Sequence, residues 1–495
     1  MIPFGSYAPD QPDYANAGGA TVAQNVLPRT KGSYTPMASL TAVSDALTAT
    51  CQGAFASRDK DGNVKTFAGD ATKLYELNGS NWSDVSNGTY SLGDEETWEF
   101  AQYGERVIAV GTAQTPQDYL LGTDSAFSDL AGSPPTGRHV GVIKDFVFIG
   151  NLTGEPSAVH WCAIDNPTDW PTLNSADAFQ KQSDKQVLPE GGWVQQIVGA
   201  VGNIDGLIFM DTAIWRVQYE GAPYAFGFYK VENSRGTPAP NSVANIGTEA
   251  FYLSEDGFYR TNGAGSAPIG AQRIDKWFWS QVDQSYLYRV YAVADPINKI
   301  VIWAFPENGT STGNPSLYVA YNWDVDEWTH GSLSCQLIFR DLTQGYNLDN
   351  ADGLGFTVDT APYGPDSRAW TGGRAILSAI DTDNKLARFT GSNLAAVIET
   401  GEIGGMELVR DPSQRVYVSG VRPYVDGGTV TVGLKYRDTT QASTSTDGPN
   451  SVDGDGAAHF SRSARYVRAQ VNIAAGGTWT HAQGVDFDAV ADGQI

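Results

Sequence analysis

The sequence predicts an all-β protein built on a β-propeller of six or seven blades, with an extended N-terminal arm and a C-terminal β-sandwich or barrel domain. Three observations carry that prediction. The first is a recurring hairpin phrase, plainest in Gly206-Leu207-Ile208-Phe209-Met210-Asp211 running to Ile214-Trp215-Arg216, and in Ala250-Phe251-Tyr252-Leu253-Ser254-Glu255-Asp256-Gly257 running to Phe258-Tyr259-Arg260. Each copy is an apolar strand, a polar turn and an aromatic strand. Such a unit cannot bury both faces alone and is stabilised by stacking on copies of itself. The second is spacing. Apolar strands start near Thr66, Val107, Val147, Ile208, Phe251, Ile300 and, more weakly, Ile376, in steps of 41, 40, 61, 43, 49 and 76 residues. Four of these six steps suit a blade of four short strands. The third is composition: 55 glycines among 495 residues, 11% aromatic and 18% charged residues fit strands joined by many tight turns.

Along the chain, residues 1–45 mix Pro, Gly, Asp, Asn and Ala with scattered aromatics and read as an extended arm that orders on a partner. On that reading, its removal leaves the propeller folded. Residues 46–400 hold the blades, with inserts near 171–192 and 335–372 that account for the two long steps; the second of these reads equally as a further blade. Trp82, Trp170 and Trp328 close three of the units, each after an aromatic strand, and are expected to pack between blades. One short helix is expected between about Ala271 and Gln284, where Ile274, Trp277, Phe278 and Val282 fall on one face. From about residue 401 to 495 the texture changes. Val416/Val418, Val430/Val432/Leu434/Tyr436 and Val467/Ala469/Val471/Ile473 alternate with polar residues, the pattern of half-buried antiparallel strands. The Ser-, Thr-, Asp- and Gly-rich stretch from Thr439 to Gly456 reads as a mobile loop.

The chemistry-bearing residues are sparse and scattered. Three cysteines, Cys51, Cys162 and Cys335, lie far apart with no Cys-x-x-Cys spacing, which argues against a disulfide framework or zinc site. The five histidines, His139, His160, His330, His459 and His481, include no pair at ligand spacing, and no Gly-x-Ser-x-Gly elbow places a nucleophile. Asp59-Lys60-Asp61-Gly62-Asn63 opens like a calcium loop, but Val64 and Asp70 stand where that loop needs Gly and Glu, so a hairpin turn explains it. Asp381-Thr382-Asp383-Asn384 and Asp453-Gly454-Asp455-Gly456 read the same way. Gly199-Ala200-Val201-Gly202 and Gly263-Ala264-Gly265 lack the context of a phosphate cradle. No catalytic, cofactor-binding or metal-binding residue is therefore expected. The N-terminus has no secretory pattern, and no stretch approaches a membrane span. A net charge of −24, from 32 basic against 56 acidic residues, disfavours binding to nucleic-acid phosphate.

Several phrases resemble one family. They are Pro3-Phe4-Gly5-Ser6-Tyr7-Ala8-Pro9-Asp10 with Val22-Ala23-Gln24-Asn25-Val26-Leu27-Pro28, Tyr229-Lys230-Val231-Glu232 with Ser234-Arg235-Gly236, Ala239-Pro240-Asn241-Ser242-Val243 and Pro268-Ile269-Gly270-Ala271-Gln272-Arg273-Ile274-Asp275-Lys276-Trp277-Phe278. Ser367-Arg368-Ala369-Trp370-Thr371-Gly372-Gly373 and Trp479-Thr480-His481-Ala482-Gln483-Gly484-Val485-Asp486 complete the set. With these the chain is similar to the tail nozzle, or packaged-DNA stabilisation protein, of podoviruses. The resemblance implies a non-enzymatic virion tail protein, made in the host cytoplasm and assembled as a homohexameric ring. It implies as partners the head-to-tail adaptor and the tail fibres or spikes, with DNA retained by the ring and then conducted through it at ejection, unspecifically. The alternative is a carbohydrate-binding or carbohydrate-cleaving propeller of a tail fibre or spike, although no repeated sialidase-type Asp box is present.

Overall fold

The computed structural model describes residues 1–13, 19–343, 373–410 and 414–494. Seven four-stranded antiparallel blades form the propeller. Blade one spans Gly53–Arg58 to Asn81–Asp84, blade two Glu99–Tyr103 to Ser128–Asp129, and blade three Gly137–Ile143 to Lys185–Val187. Blade four spans Val194–Val201 to Ala225–Glu232, blade five Ala244–Asn245 to Ser266–Pro268, and blade six Tyr291–Asp295 to Glu327–Ser332. Blade seven holds Cys335–Leu342, Ala375–Asp381 and Lys385–Arg388, and takes its outer strand, Thr41–Ala46, from the other end of the chain.

The seven apolar starts read from the sequence are the second strands of the seven blades. A second strand is covered on both faces by neighbouring blades, so it is apolar throughout rather than alternating. Val107, Ile108, Ala109 and Val110 are all fully buried, as are Leu207 to Met210 and most of Ile300–Phe305. Trp82 donates through Nε1 to Ser44 Oγ across the seam between blades one and seven, at 3.1 Å. Trp328 reaches from blade six to the Ile269 carbonyl of blade five, at 3.0 Å. Trp170, by contrast, stays within blade three, its Nε1 bonded to the Pro167 carbonyl and its ring edge-on to His160.

The N-terminal arm is a correction: of residues 1–45, the described stretches 1–13 and 19–45 are built into the body. Ile2–Pro3 pairs with Gly484 and Val485, and the hairpin Val26–Thr30/Ser33–Pro36 joins the same sheet through Tyr34 and Ala482. Ala20–Gln24 pairs antiparallel with Ala396–Thr400 and bridges His330 on the outer edge of blade six, so one ten-stranded sheet runs from propeller to C-terminal domain. Phe4, Ala20, Ala23, Val26 and Tyr34 are fully buried in the shared core. The physical reason is pairing demand: Ile2–Pro3 and Ala20–Gln24 satisfy their backbone on strands hundreds of residues away, and the hairpin joins the same remote strand through Tyr34, which a local reading cannot see.

Domain boundaries move accordingly. The propeller includes 41–46 and its last strand ends at Arg388, while the C-terminal sandwich begins with Ala396–Thr400 and incorporates the N-terminal strands. Its alternating strands are as expected: Val416, Val418, Val432, Leu434, Val467, Ala469, Val471 and Ile473 all face the core. The expected loop at 439–456 instead contains an edge strand, Ser445–Ser451, paired to Val430–Arg437. An outermost strand needs only backbone partners, so its polar side chains hide it. The insert near 171–192 supplies a short helix, Ala176–Gln180, and the outer strand of blade three. Of the insert near 335–372, Cys335–Leu342 is the first strand of blade seven, and 344–372 lies outside the described residues. The expected helix is shorter than read, Asp275–Gln281, followed by a 3-10 turn at Gln284–Arg289.

Two outcomes follow from this packing. Deleting residues 1–46 should strip blade seven of its outer strand and the sandwich of four strands, so circular dichroism should show loss of the cooperative thermal transition. Gly199→Ala should cost about 1–3 kcal/mol in urea unfolding, because a Cβ there would stand 1.8 Å from the Val142 carbonyl oxygen of blade three.

Candidate functional site: the central channel and its rim

The first strands of the blades stand side by side around the axis and line the channel. Blades approach closely where they carry glycine: Gly141 and Gly150 pack on Ile197, and Gly206 on Ile143. The resulting cavity is about 310 Å³ and is bounded by Gln52, Phe55, Glu99, Phe100, Gln196, Tyr291 and Arg340, among others. Phe55 and Phe100 stack across it with centroids 5.9 Å apart. A second hollow of about 480 Å³ adjoins it and shares Phe55, Glu99, Phe100 and Gln196; both are of small-molecule size.

At one mouth a smaller hollow of about 140 Å³ collects Glu95, Thr97, Thr112, Arg138, His139, Gln195, Asn241 and Tyr288. His139 Nδ1 and Glu99 Oε2 lie 2.8 Å apart, and the same carboxylate oxygen accepts the Val140 amide at 3.3 Å. Arg138 is aimed by a bond from Nε to Thr112 Oγ1 at 3.0 Å. The side chains come from blades two and three, 40 residues apart, so no local spacing announces Glu99 with His139. This set can hold a polar group by hydrogen bonds and charge, but among the described residues no hydroxyl or thiol is bonded to His139 as a nucleophile would be.

The residues weighed from the sequence remain dispersed. All three thiols are buried, and burial pushes Cys51 and Cys162 up to about 12 and Cys335 higher still, far from the thiolate needed for reaction. Burial likewise lowers His160 and His330 to about 4, which keeps both neutral. His459 pairs with Asp453 and His481 with Ser33. Asp59 accepts the amides of Asp61 and Asn63, Asp381 those of Asp383 and Lys385, and Asp453 those of Asp455 and Ala457. All three calcium-like phrases are thus the same aspartate-anchored turn, with Oδ1 taking both backbone donors, while Oδ2 takes the Asn63 side chain at Asp59 and His459 at Asp453. Among the described residues no group of three His, Cys, Asp or Glu side chains is arranged to hold a metal ion, and no helix is long and apolar enough to cross a membrane.

A second charged cluster, unsignalled by the sequence, sits where the chain termini meet the sandwich. Glu402 takes Nε and Nη2 of Arg437 at 2.5 Å each, and Glu399 takes Lys435 at 2.5 Å and Thr21 Oγ1 at 3.1 Å. Arg468, nearly buried, lies 3.5 Å from Glu399 and 3.6 Å from Glu402, and reaches Asp13 at 2.6 Å. Two buried carboxylates are therefore neutralised by three cations drawn from two strands of the sandwich, and the N-terminal segment is tied in through Asp13 and Thr21.

No protein-family model and no curated protein matches the chain. Among solved structures, it is similar to YCF48 bound to D1 peptide, at 9% identity and TM-score 0.35, over 60% of this chain and 86% of that one. It is also similar to the Neurospora crassa Pan2 WD40 domain, at 7% identity and TM-score 0.33, over 68% and 88%. A third is the computationally designed Ika8 protein, at 9% identity and TM-score 0.35, over 71% and 98%.

Glu402→Gln should destabilise the chain by about 1–3 kcal/mol in denaturant unfolding, because it removes the charge from the bidentate pair that Glu402 makes with Arg437.

Proposed function

We propose that the chain is a structural subunit of a virion tail, and that copies of it form the nozzle ring of a short-tailed phage below the head-to-tail adaptor. The observation that carries this reading is the run of family-like phrases from Pro3 to Asp486. The terminal phrases touch: the Phe4 amide donates to the Gln483 carbonyl at 3.2 Å, and Ile2–Pro3 pairs with Gly484 and Val485. A further phrase, Pro268 to Phe278, contains the first turn of the helix on which Asp10 rests. Phrases that look unrelated in sequence thus share one seam, as expected of strings whose role is architectural. The charge of −24 supports a duct wall that repels DNA phosphate. Since the hollows at the propeller's centre are of small-molecule size, about 310 and 480 Å³, DNA in this reading passes between subunits around the ring axis. Ring closure requires two different surface patches that meet around a rotation axis.

The carbohydrate reading draws on the aromatic residues Trp193, Tyr224 and Tyr229, exposed on blade four and the segment leading into it. Exposed aromatic rings are suitable platforms for sugar faces.

Electron microscopy of adaptor-bound protein separates the two. The nozzle reading expects a six-fold ring on the tail axis and no retention of duplex DNA by the free protein at physiological salt. Peripheral copies, together with glycan-array binding lost in Trp193→Ala, would replace it with the carbohydrate reading.

A further inference from the structure

We propose that residues 1–13 form a proton-linked strap: seating them over blades five and six takes up a proton at a cluster of carboxyl groups, so the strap is tightest in mild acid and loosens as the solution becomes neutral. The helix Asp275–Gln281 has no side-chain cap from its own flanking residue, Ile274. Asp10 caps it instead from the strap, accepting the Lys276 amide at 2.9 Å and the Trp277 amide at 2.8 Å. Beside this cap the Asp275 carboxyl is wedged between Gly257 and Gly270, so closely that a Cβ on either would lie 2.2 or 1.9 Å from it. One hydrogen bond reaches it, from the Phe258 amide at 3.1 Å.

The groups around Asp275 give it no counter-charge. The strap presents Asp10 and the blade-five turn presents Asp256. Arg273, on the loop leading into the helix, is held in a bidentate pair by Asp326 of blade six. Arg235 leans toward Asp256, at 3.7 Å, and Lys276 follows on the helix itself. Blade six adds Glu327, whose Oε1 accepts Ser6 Oγ and the Gly32 amide while its Oε2 is buried with no partner. His330 stacks against the Tyr7 ring with centroids 5.0 Å apart.

Burial first, then repulsion from Asp10 and Asp256, raises Asp275 to about 7. Burial also raises Glu327, but the strap's Ser6 hydroxyl, with the Gly32 amide, Lys31 and Arg273, acts to lower it, so the linkage is carried by Asp275. Gly257 and Gly270 stay beside Asp275 when the strap lifts, but Asp10 leaves with it, so the Asp275 carboxyl holds its proton less tightly and lifting favours proton release. The strap is therefore tightest at the acid end, loses stability as the pH rises toward about 7, and levels off above.

Hydrogen exchange of the full chain between pH 5.5 and 8.5, corrected for intrinsic rates, tests this. Protection of the 1–13 peptide should fall roughly two- to tenfold per pH unit up to about pH 7 and then flatten, while blade one shows no such trend. Asp275→Asn should abolish the slope. Should that variant misfold, Asp256→Asn, at an exposed site, should move the flattening point to lower pH. Protection independent of pH, an equal slope in blade one, or an unchanged slope in Asp275→Asn or an unmoved flattening point in Asp256→Asn would overturn the proposal.

Discussion

A propeller must close, and here closure depends on one strand. Thr41–Ala46 completes blade seven by pairing with Lys385–Arg388, so the ring is sealed by residues from opposite ends of the chain. The seam beside it is polar rather than greasy. Gln336 accepts the Cys51 amide at 2.8 Å, and the fully buried Asp341 takes Arg388 and Ser378 of its own blade and Thr66 of blade one. Buried polar groups like these are costly unless every partner is present. They therefore favour the one register in which blades one and seven meet correctly.

The same device recurs where the N-terminal segment crosses to the sandwich. Glu327, Glu399 and Glu402 are each almost wholly buried, and each receives a donor from that segment or a cation from the sandwich. Apolar burial of Phe4, Tyr34 and Val26 supplies the attraction, and the carboxylates set its geometry. In the proposed ring this rigidity would matter, because a rigid body can present two patches at a fixed angle to its neighbours. The small central cavity is consistent with a solid building block, with its Glu99–His139 mouth as the polar exception.

What was legible in the sequence follows from burial. Second strands such as Val107–Val110 lie between two blades and are apolar throughout, so their spacing revealed the repeat. First strands face the channel and outer strands face solvent; Ser128–Asp129 and Ser445–Ser451 carry no apolar signature at all. Residues 1–46 resemble an arm locally because their partners at 327–332, 385–388, 396–400 and 482–485 are remote, and no residue type marks a strand that completes another segment's sheet. Glu99 with His139, and Arg468 with Glu399 and Asp13, were hidden for the same reason: blades and sheets bring together positions that periodicity treats as unrelated. The aspartate turns at Asp59, Asp381 and Asp453 were readable because each is closed within five residues.

The central claim is that the chain ends weld propeller and sandwich into one cooperative unit. Differential scanning calorimetry of the full chain tests it most directly. The account predicts a single transition whose calorimetric and van't Hoff enthalpies agree. Two resolved transitions, one surviving intact in an isolated 396–494 fragment, would contradict it and return the N-terminal strands to the status of a detachable arm.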